Sequence, residues 1–165
     1  MIYIRIIHPE AWRNSHFYDS DAISDIPTTD HGLSVWAVPD NDSNTLERVK
    51  LAIALTRNSY FIDMVIITIS DKELYKWNLK LKETKGETLY KKMKDSHRDI
   101  ILNNVCDMLK LTRIINKKIR RGKVDEIDID TANQLFDKYY QAGEIPDDDL
   151  KGSKYLKDFK KRHQN

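Results

Sequence analysis

Seven basic residues follow one another at short intervals near the middle of this chain, and their side chains are well suited to bind phosphate groups. They are Lys110, Arg113, Lys117, Lys118, Arg120, Arg121 and Lys123. On a helix most of them fall beside or opposite the apolar stripe, at about 100° per residue. Such a row can neutralise the phosphates of a nucleic acid. A solvated helix face is the simpler interpretation, and nucleic-acid contact is the alternative.

Histidines and carboxylates are also concentrated near the start of the chain. The residues concerned are His8, His16, His31, Asp19, Asp21, Asp25 and Asp30. Histidine beside a carboxylate can bind a divalent metal or transfer protons. No pair has the close helical spacing of a metal motif such as H-E-x-x-H. We therefore predict solvated loop histidines and no metal site.

The seven basic residues lie along one side of the chain only if they are on a helix. The segment from Thr84 to Gly122 has the pattern of a helix. Thr84 and Glu87 have the spacing of a capping box, and Gly122 suits a helix end. Apolar or stripe positions recur every three or four residues: Tyr90, Met93, His97, Ile101, Val105, Met108, Thr112, Ile115 and Ile119. A helix over about 85–121 would be about 55 Å long. Because a compact chain of this length is about 40 Å across, we predict that it projects or bends near Asn103-Asn104.

The predicted helix also has more apolar residues than one face can hold. The additional positions are Ile100, Leu102, Leu109, Leu111 and Ile114. Either the helix passes through the centre of the domain, or this surface is covered by a protein partner or a second copy of the chain. Both alternatives stay open on the sequence alone.

The other elements follow from local patterns. Strands are predicted over 2–7, 32–38, 61–69 and 124–129, and helices over 46–57, from about 130 to Gly143, and from Ser153. Residues 10–31 have no sustained period and are predicted to form a long loop. We predict a single α+β domain over 1–165, with a small N-terminal sheet in 1–83 and a helical half, 84–165, built around the long helix.

Composition narrows the class of protein. The chain has 165 residues, of which 33% are charged, and a formal net charge of +2. Its single cysteine, Cys106, excludes a disulfide within these residues and a cysteine-rich metal site. No apolar run is long enough to span a membrane, and the first residues lack the pattern of a signal peptide. We therefore expect a cytoplasmic protein without membrane contact.

The run from Gly32 to Leu74 resembles the middle of small ADP-ribosyltransferase-like domains. In both, a glycine-initiated strand ends in Pro-Asp (Pro39-Asp40 here), and an alanine-containing helix and a Val/Ile strand follow. The resemblance implies NAD as cofactor. It further implies that Arg5 or His8 binds NAD, that Trp36 supplies an aromatic contact, and that Glu126 is the late glutamate of catalysis.

Three functions are consistent with these patterns. The leading hypothesis is a non-enzymatic interaction or regulatory subunit that uses the long helix as a protein-contact surface, with no cofactor. It rests on the excess length of the helix and on the lack of a complete catalytic set of residues. The alternatives are an NAD-dependent ADP-ribosyltransferase-like enzyme and a nucleic-acid-binding protein that uses the basic helix face.

Overall fold

The computed structural model describes residues 1–12, 20–26, 31–57 and 59–163. The strands are β1 Ile2–Ile7, β2 Gly32–Val38, β3 Met64–Ser70, β4 Lys80–Glu83, β5 His97–Ile101 and β6 Val124–Ile127. The helices are α1 Pro9–Trp12, α2 Ser20–Ser24, α3 Ser43–Ala54, α4 Asp71–Lys76, α5 Val105–Arg120, α6 Ile129–Gln141 and α7 Tyr155–Arg162. Two 3-10 helices cover Lys91–Ser96 and Asp147–Leu150. The predicted α+β class is confirmed.

The strands form one antiparallel sheet in the order β4-β5-β2-β1-β3-β6, with helices on both of its sides. Ile4, Trp36 and Ile66 belong to the first face, which packs against α3 and α6. Tyr3, Val35 and Ile67 belong to the second face, which packs against α2 and α5. Alternation along each strand therefore sends apolar side chains into two separate cores. Within the described residues, no helix is both long and apolar enough to cross a membrane.

All four predicted strands occur where the sequence placed them, and the last of them, β6, begins at the predicted Val124. β1 and β2 have the predicted bounds, and β3 begins and ends within a few residues of the predicted strand. The nearly continuous apolar sequence of β3 is explained by its position, because it pairs with β1 on one side and β6 on the other. The long loop predicted over 10–31 contains α1 and α2, while 13–19 and 27–30 lie outside the described residues.

The prediction of one long helix over about 85–121 is wrong. The segment instead contains a loop, the 3-10 helix Lys91–Ser96, strand β5 and then α5. β5 pairs along its length with β2 and also with β4. His97 and Ile101 lie four residues apart and so matched the helical period, but these two ladders determine the structure. Long-range pairing overrides local periodicity here.

Helix α5 begins at the predicted bend and ends at the predicted stop. Asn104 caps its N-terminus, and its side-chain oxygen accepts a hydrogen bond of 3.1 Å from the backbone N–H of Asp107. At the other end Gly122 has φ +61, and the N–H of Lys123 donates to the carbonyl of Lys118 over 2.9 Å. This is the glycine-based ending that the sequence predicted.

The division into a sheet-containing half (1–83) and a helical half (84–165) is also wrong. β5 and β6 lie in the second half and complete the sheet on both sides of the N-terminal strands. The apolar residues proposed as an interface are largely internal. Ile100, Leu102, Leu111 and Ile114 are at most 4% exposed, whereas Leu109 is half-buried. The apolar surplus therefore belongs mainly to the core beneath the second face.

Candidate nucleic-acid interface

A groove of about 520 Å³ runs between α4 and α5 on the side of the second face. Its lining combines the end of α4 with one side of the C-terminal half of α5. The lining residues are Glu73, Lys76, Trp77, Arg113, Ile114, Asn116, Lys117, Arg120 and Arg121. Five of them are cations and one is a carboxylate. We call this cavity the α4–α5 groove.

The start and end of α4 fix the position of Trp77. Ser70 and Glu73 form a capping box, in which the Ser70 hydroxyl accepts from the Glu73 N–H over 3.3 Å. Glu73 accepts in return from the Ser70 N–H over 2.9 Å. After six residues the helix ends at Trp77, whose N–H still donates to the carbonyls of Glu73 and Leu74. This short, capped helix holds the indole ring in the lining of the groove.

An ion pair joins the two helices below the groove. The Lys118 ammonium lies 2.7 Å from a carboxylate oxygen of Glu73. Burial acts to raise the pKa of Glu73, but hydrogen bonds from Lys118 and Ser70 outweigh it and hold the pKa below its ordinary value. Glu73 is therefore ionised at neutral pH and engaged with Lys118. Its charge is largely neutralised, which leaves the groove with a positive potential.

Trp77 and Arg113 form the centre of the groove. The guanidinium carbon of Arg113 lies 6.0 Å from the centre of the Trp77 ring, which is within the range of a cation–π contact. Trp77 is partly exposed, whereas the other two tryptophans, Trp12 and Trp36, are 2% and 6% exposed. Trp77 is thus the most exposed of the three tryptophans, and part of it packs against the core of the second face.

The seven cations that the sequence analysis named have different surroundings in the structure. Arg113, Lys117, Arg120 and Arg121 line the groove. Lys118 pairs with Glu73, and Lys110 bonds to Asp107 over 2.9 Å. Lys123 follows the end of α5 and is exposed outside the groove lining. Four of the seven therefore line one cavity together.

The residues that the ADP-ribosyltransferase resemblance implied are distributed over two other cavities. Arg5 and Trp36 line a cavity of about 710 Å³. His8 and Glu126 line a separate one of about 460 Å³. Arg5 and Trp36 are thus brought together, but His8 and Glu126 do not join them. The resemblance, and NAD as a cofactor, stay predictions.

The N-terminal histidine cluster reduces to one pair in the described residues. The His8 ring Nδ1 is hydrogen-bonded to the carboxylate of Asp25. The same carboxylate accepts a hydrogen bond of 2.6 Å from the indole N–H of Trp12. His31 adopts φ +61 and its carbonyl accepts from Leu102, while His16, Asp19 and Asp30 lie outside the described residues. Within the part of the chain that the structure describes, no group of three or more such side chains could hold a metal ion.

Sequence reasoning missed the contribution of α4 to the groove. Neither Trp77 nor Lys76 belongs to any of the residue sets that the sequence patterns single out. An amphipathic segment that ends in Lys-Trp was the available signal, but its distance of 36 residues from Arg113 hid the contact. The packing of both helices on one sheet face creates it.

Comparisons of this chain with protein-family models, with curated proteins and with solved structures find no match.

Proposed function

We propose that this protein binds single-stranded nucleic acid in the α4–α5 groove. The observation that supports this proposal is a partly exposed indole ring in the lining of a groove that also contains five cations from α4 and the C-terminal half of α5 with its cap. Proteins bind single strands with this combination, because bases stack on aromatic rings while lysines and arginines neutralise the phosphates.

Two features favour this function over a merely solvated helix end. Cations in the last turn of a helix stabilise its negative dipole end by themselves. However, Arg113 lies two turns before the end of α5, beyond the reach of that dipole, and Lys76, in the last turn of α4, lines the same groove from the other helix. Both contribute to the same groove as Trp77. Convergence on one ring supports a ligand that has both a flat apolar part and negative charge.

A single strand suits the groove better than a duplex. A base must be unstacked to lie on the Trp77 ring, and the bases of a duplex already stack on each other. Arginine planes stack on bases as aromatic rings do, so Arg113, which lies over the Trp77 ring, is a second group on which a base can stack. The ligand would thus place one base on Trp77 and its neighbouring phosphates near Lys117 and Arg121.

A protein partner or self-association stays a prediction. Its premise was a helix longer than its domain, and that helix is interrupted by β5. Four of the five apolar residues that were to form the contact lie in the core. These facts shift support from the interaction-subunit hypothesis to the nucleic-acid hypothesis.

The test measures the fluorescence anisotropy of a labelled oligothymidylate or oligouridylate, titrated with the protein at several salt concentrations. We expect the affinity to fall steeply with salt, with a slope of about −0.7 for each phosphate that is neutralised. Trp77→Ala should weaken binding by about 1–3 kcal/mol, because stacking on the ring is lost. Lys117→Ala should weaken binding to both oligonucleotides equally and make the salt slope shallower.

Two control variants match these changes. Tyr75→Ala removes an aromatic ring from the same helix that is 89% exposed and outside the groove lining. Lys157→Ala removes a cation from α7, which packs on the opposite face of the sheet. Both controls should bind as the wild type does. Absent binding, or equal losses in Trp77→Ala and Tyr75→Ala, would contradict the proposal.

A further inference from the structure

The two central strands of the sheet separate at one end. β1 and β2 pair from Ile2–Val38 to Ile4–Trp36 and no further. Beyond that point β1 continues with β3 as far as Ile7, and β2 continues with β5 as far as Gly32. The sheet therefore stays intact on each side while an opening forms between its middle strands. We call this opening, with the cavity of about 710 Å³ that it joins, the β1–β2 cleft.

Arg5 lies at this opening. Its Nη1 donates a hydrogen bond of 3.3 Å to the carbonyl of Ser34, which replaces one bond of the interrupted ladder. Within the described residues, this is the one hydrogen bond of the guanidinium, and no carboxylate lies within ion-pair distance of it. Burial lowers the pKa of Arg5, and the more distant charge of Asp25 offsets this only in part.

A half-buried guanidinium with one weak neutral partner is an unfavourable arrangement by itself. An arginine has five N–H donors, and desolvation of its charge costs free energy unless an anion or several acceptors compensate. Residues kept in such positions often have a function that opposes stability. A ligand with a carboxylate or phosphate would supply the bidentate acceptor that the guanidinium geometry matches.

The opposite wall of the cleft consists of side chains in register across three strands. Ser34 of β2 and Lys82 of β4 both lie opposite Asp99 of β5. The Ser34 hydroxyl donates to Asp99 over 3.3 Å. Gly32 makes room for this carboxylate, since a Cβ there would lie 3.0 Å from the Asp99 Cβ. Asp99 thus presents an acceptor across the cleft from Arg5.

Two aromatic rings without charge form another part of the lining. Trp36 and His97 are opposite each other in the ladder, with their rings 5.2 Å apart and nearly perpendicular. Burial lowers the pKa of His97, so the imidazole is neutral at pH 7. Its Nδ1 and the Thr84 hydroxyl are 2.7 Å apart, which fixes the ring. Of the charged residues that line the cleft, Arg5 and Asp99 are half-buried, whereas Lys82, Lys85 and Glu87 are exposed.

We propose that the β1–β2 cleft binds a small organic anion, whose carboxylate or phosphate pairs with Arg5 and whose hydroxyl or ammonium group donates to Asp99. Arg5 has the strand parity of Tyr3 and Ile7 and reaches the cleft through the opening between β1 and β2, whereas Ser34, Trp36, His97 and Asp99 have the parity of the first face. No residue lines both the cleft and the α4–α5 groove. The two sites are therefore separate, and failure of one proposal leaves the other standing.

The test measures the melting temperature of the full chain with inorganic phosphate, ribose 5-phosphate or glutamate, against sodium chloride at equal ionic strength. At about ten times its Kd, a bound anion should raise Tm by about 3–6 °C. A shift with both phosphates and none with glutamate identifies a phosphate ligand, and the reverse identifies a carboxylate ligand. Either result supports the proposal.

Arg5→Met separates a ligand-binding role from a structural one. It keeps most of the volume and removes a poorly paired charge, so without ligand its Tm should equal or exceed that of the wild type. Its anion-induced shift should be lost. Arg98→Met is the matched control, because Arg98 is adjacent to Asp99 in the sequence and its guanidinium pairs with Glu83 over 3.1 Å. This variant should keep the anion-induced shift.

Several results would overturn the proposal. These are the absence of a shift with every small anion, an equal shift in Arg5→Met, or a shift with NAD alone, which would favour the NAD site implied by the resemblance. If Arg5→Met fails to fold, the Nε–Hε signal of Arg5 in a ¹⁵N spectrum of the wild type decides. It should move on addition of the stabilising anion, and an unmoved signal would refute the assignment.

Discussion

Gly86 lies directly against the ring of Trp36. A Cβ on residue 86 would approach Trp36 Cη2 to 2.5 Å and the Cβ of His97 to 3.0 Å. The Gly86 N–H also donates to the Lys94 carbonyl over 3.0 Å, so the backbone cannot move away without losing a bond. The loop after β4 thus depends on a residue without a side chain.

Gly86→Ala should therefore destabilise the protein by about 1–3 kcal/mol, because overpacking forces the Trp36 ring or the loop to shift. Urea denaturation followed by circular dichroism measures this loss. Lys85→Ala, a change at the preceding exposed position, should stay within about 0.5 kcal/mol of the wild type. Equal stability of Gly86→Ala and Lys85→Ala would show that residue 86 has more room than the structure gives it.

The start of α5 can be tested by removing its cap. Asn104→Ala should cost about 1 kcal/mol, because the N–H of Asp107 loses its side-chain acceptor. Asn103→Ala, at the exposed neighbouring position, should be close to neutral in the same urea titration. If Thr84 capped a helix that began there, as the sequence suggested, Asn104→Ala would be as mild as Asn103→Ala.

The contrast between β1 and β5 shows what the sequence could predict. β1 is a run of β-branched residues that ends before Pro9, so its signal is local and strong. β5 is His97-Arg98-Asp99-Ile100-Ile101, in which buried and exposed residues do not alternate. It is a strand because β2 and β4 flank it, and both partners are distant in sequence. No local window contains that information.

The sequence predicted the grouping of the cations in the candidate groove, but it did not predict that the Trp77 ring lies beside them. Arg113, Lys117 and Arg121 share one side of a helix, and that helix exists from residue 105 onward, so their grouping survived the error in its start. Trp77 joins them through packing of α4 and α5 on the second face. Convergence of residues from separate elements requires the topology, which the sequence pattern did not supply.

Glu144 gives the clearest expectation for pH dependence. Arg48 donates to it twice, over 2.9 Å and 2.7 Å, and Tyr90 donates through its hydroxyl. These bonds lower the pKa of Glu144 from its ordinary 4.5 to about 2. Because the folded state holds the lower pKa, the stabilisation is fully present above about pH 5 and is lost as the pH falls towards 2.

Glu144→Gln should lower the free energy of unfolding at pH 7 by about 2 kcal/mol and should flatten the acid limb of the stability curve between pH 5 and 2. Thermal unfolding across this pH range checks both effects. The control Asp148→Asn removes a carboxylate whose ion pair with Lys151 is 77–78% exposed, and it should change neither. An acid limb of the same steepness in Glu144→Gln would assign the pH dependence to other carboxylates.

Asp25 should be the most sensitive carboxylate beneath the second face. It is 7% exposed and accepts from the Trp12 indole over 2.6 Å and from the His8 N–H over 3.1 Å. Trp12→Phe removes one of these donors and should cost about 1–3 kcal/mol. Trp77→Phe, at a ring without a hydrogen bond to the described residues, is the matched control in urea denaturation. Similar small losses in both would mean that water replaces the indole at Asp25.

The two outermost strands have a consequence for behaviour at high concentration. β4 and β6 are four residues each, and charged side chains interrupt both: Lys80, Lys82 and Glu83 in one, Asp125 and Glu126 in the other. Long, flat, apolar edges recruit strands from other molecules and start aggregation, whereas short charged edges resist it. The sheet therefore ends in strands that discourage its own extension into fibres.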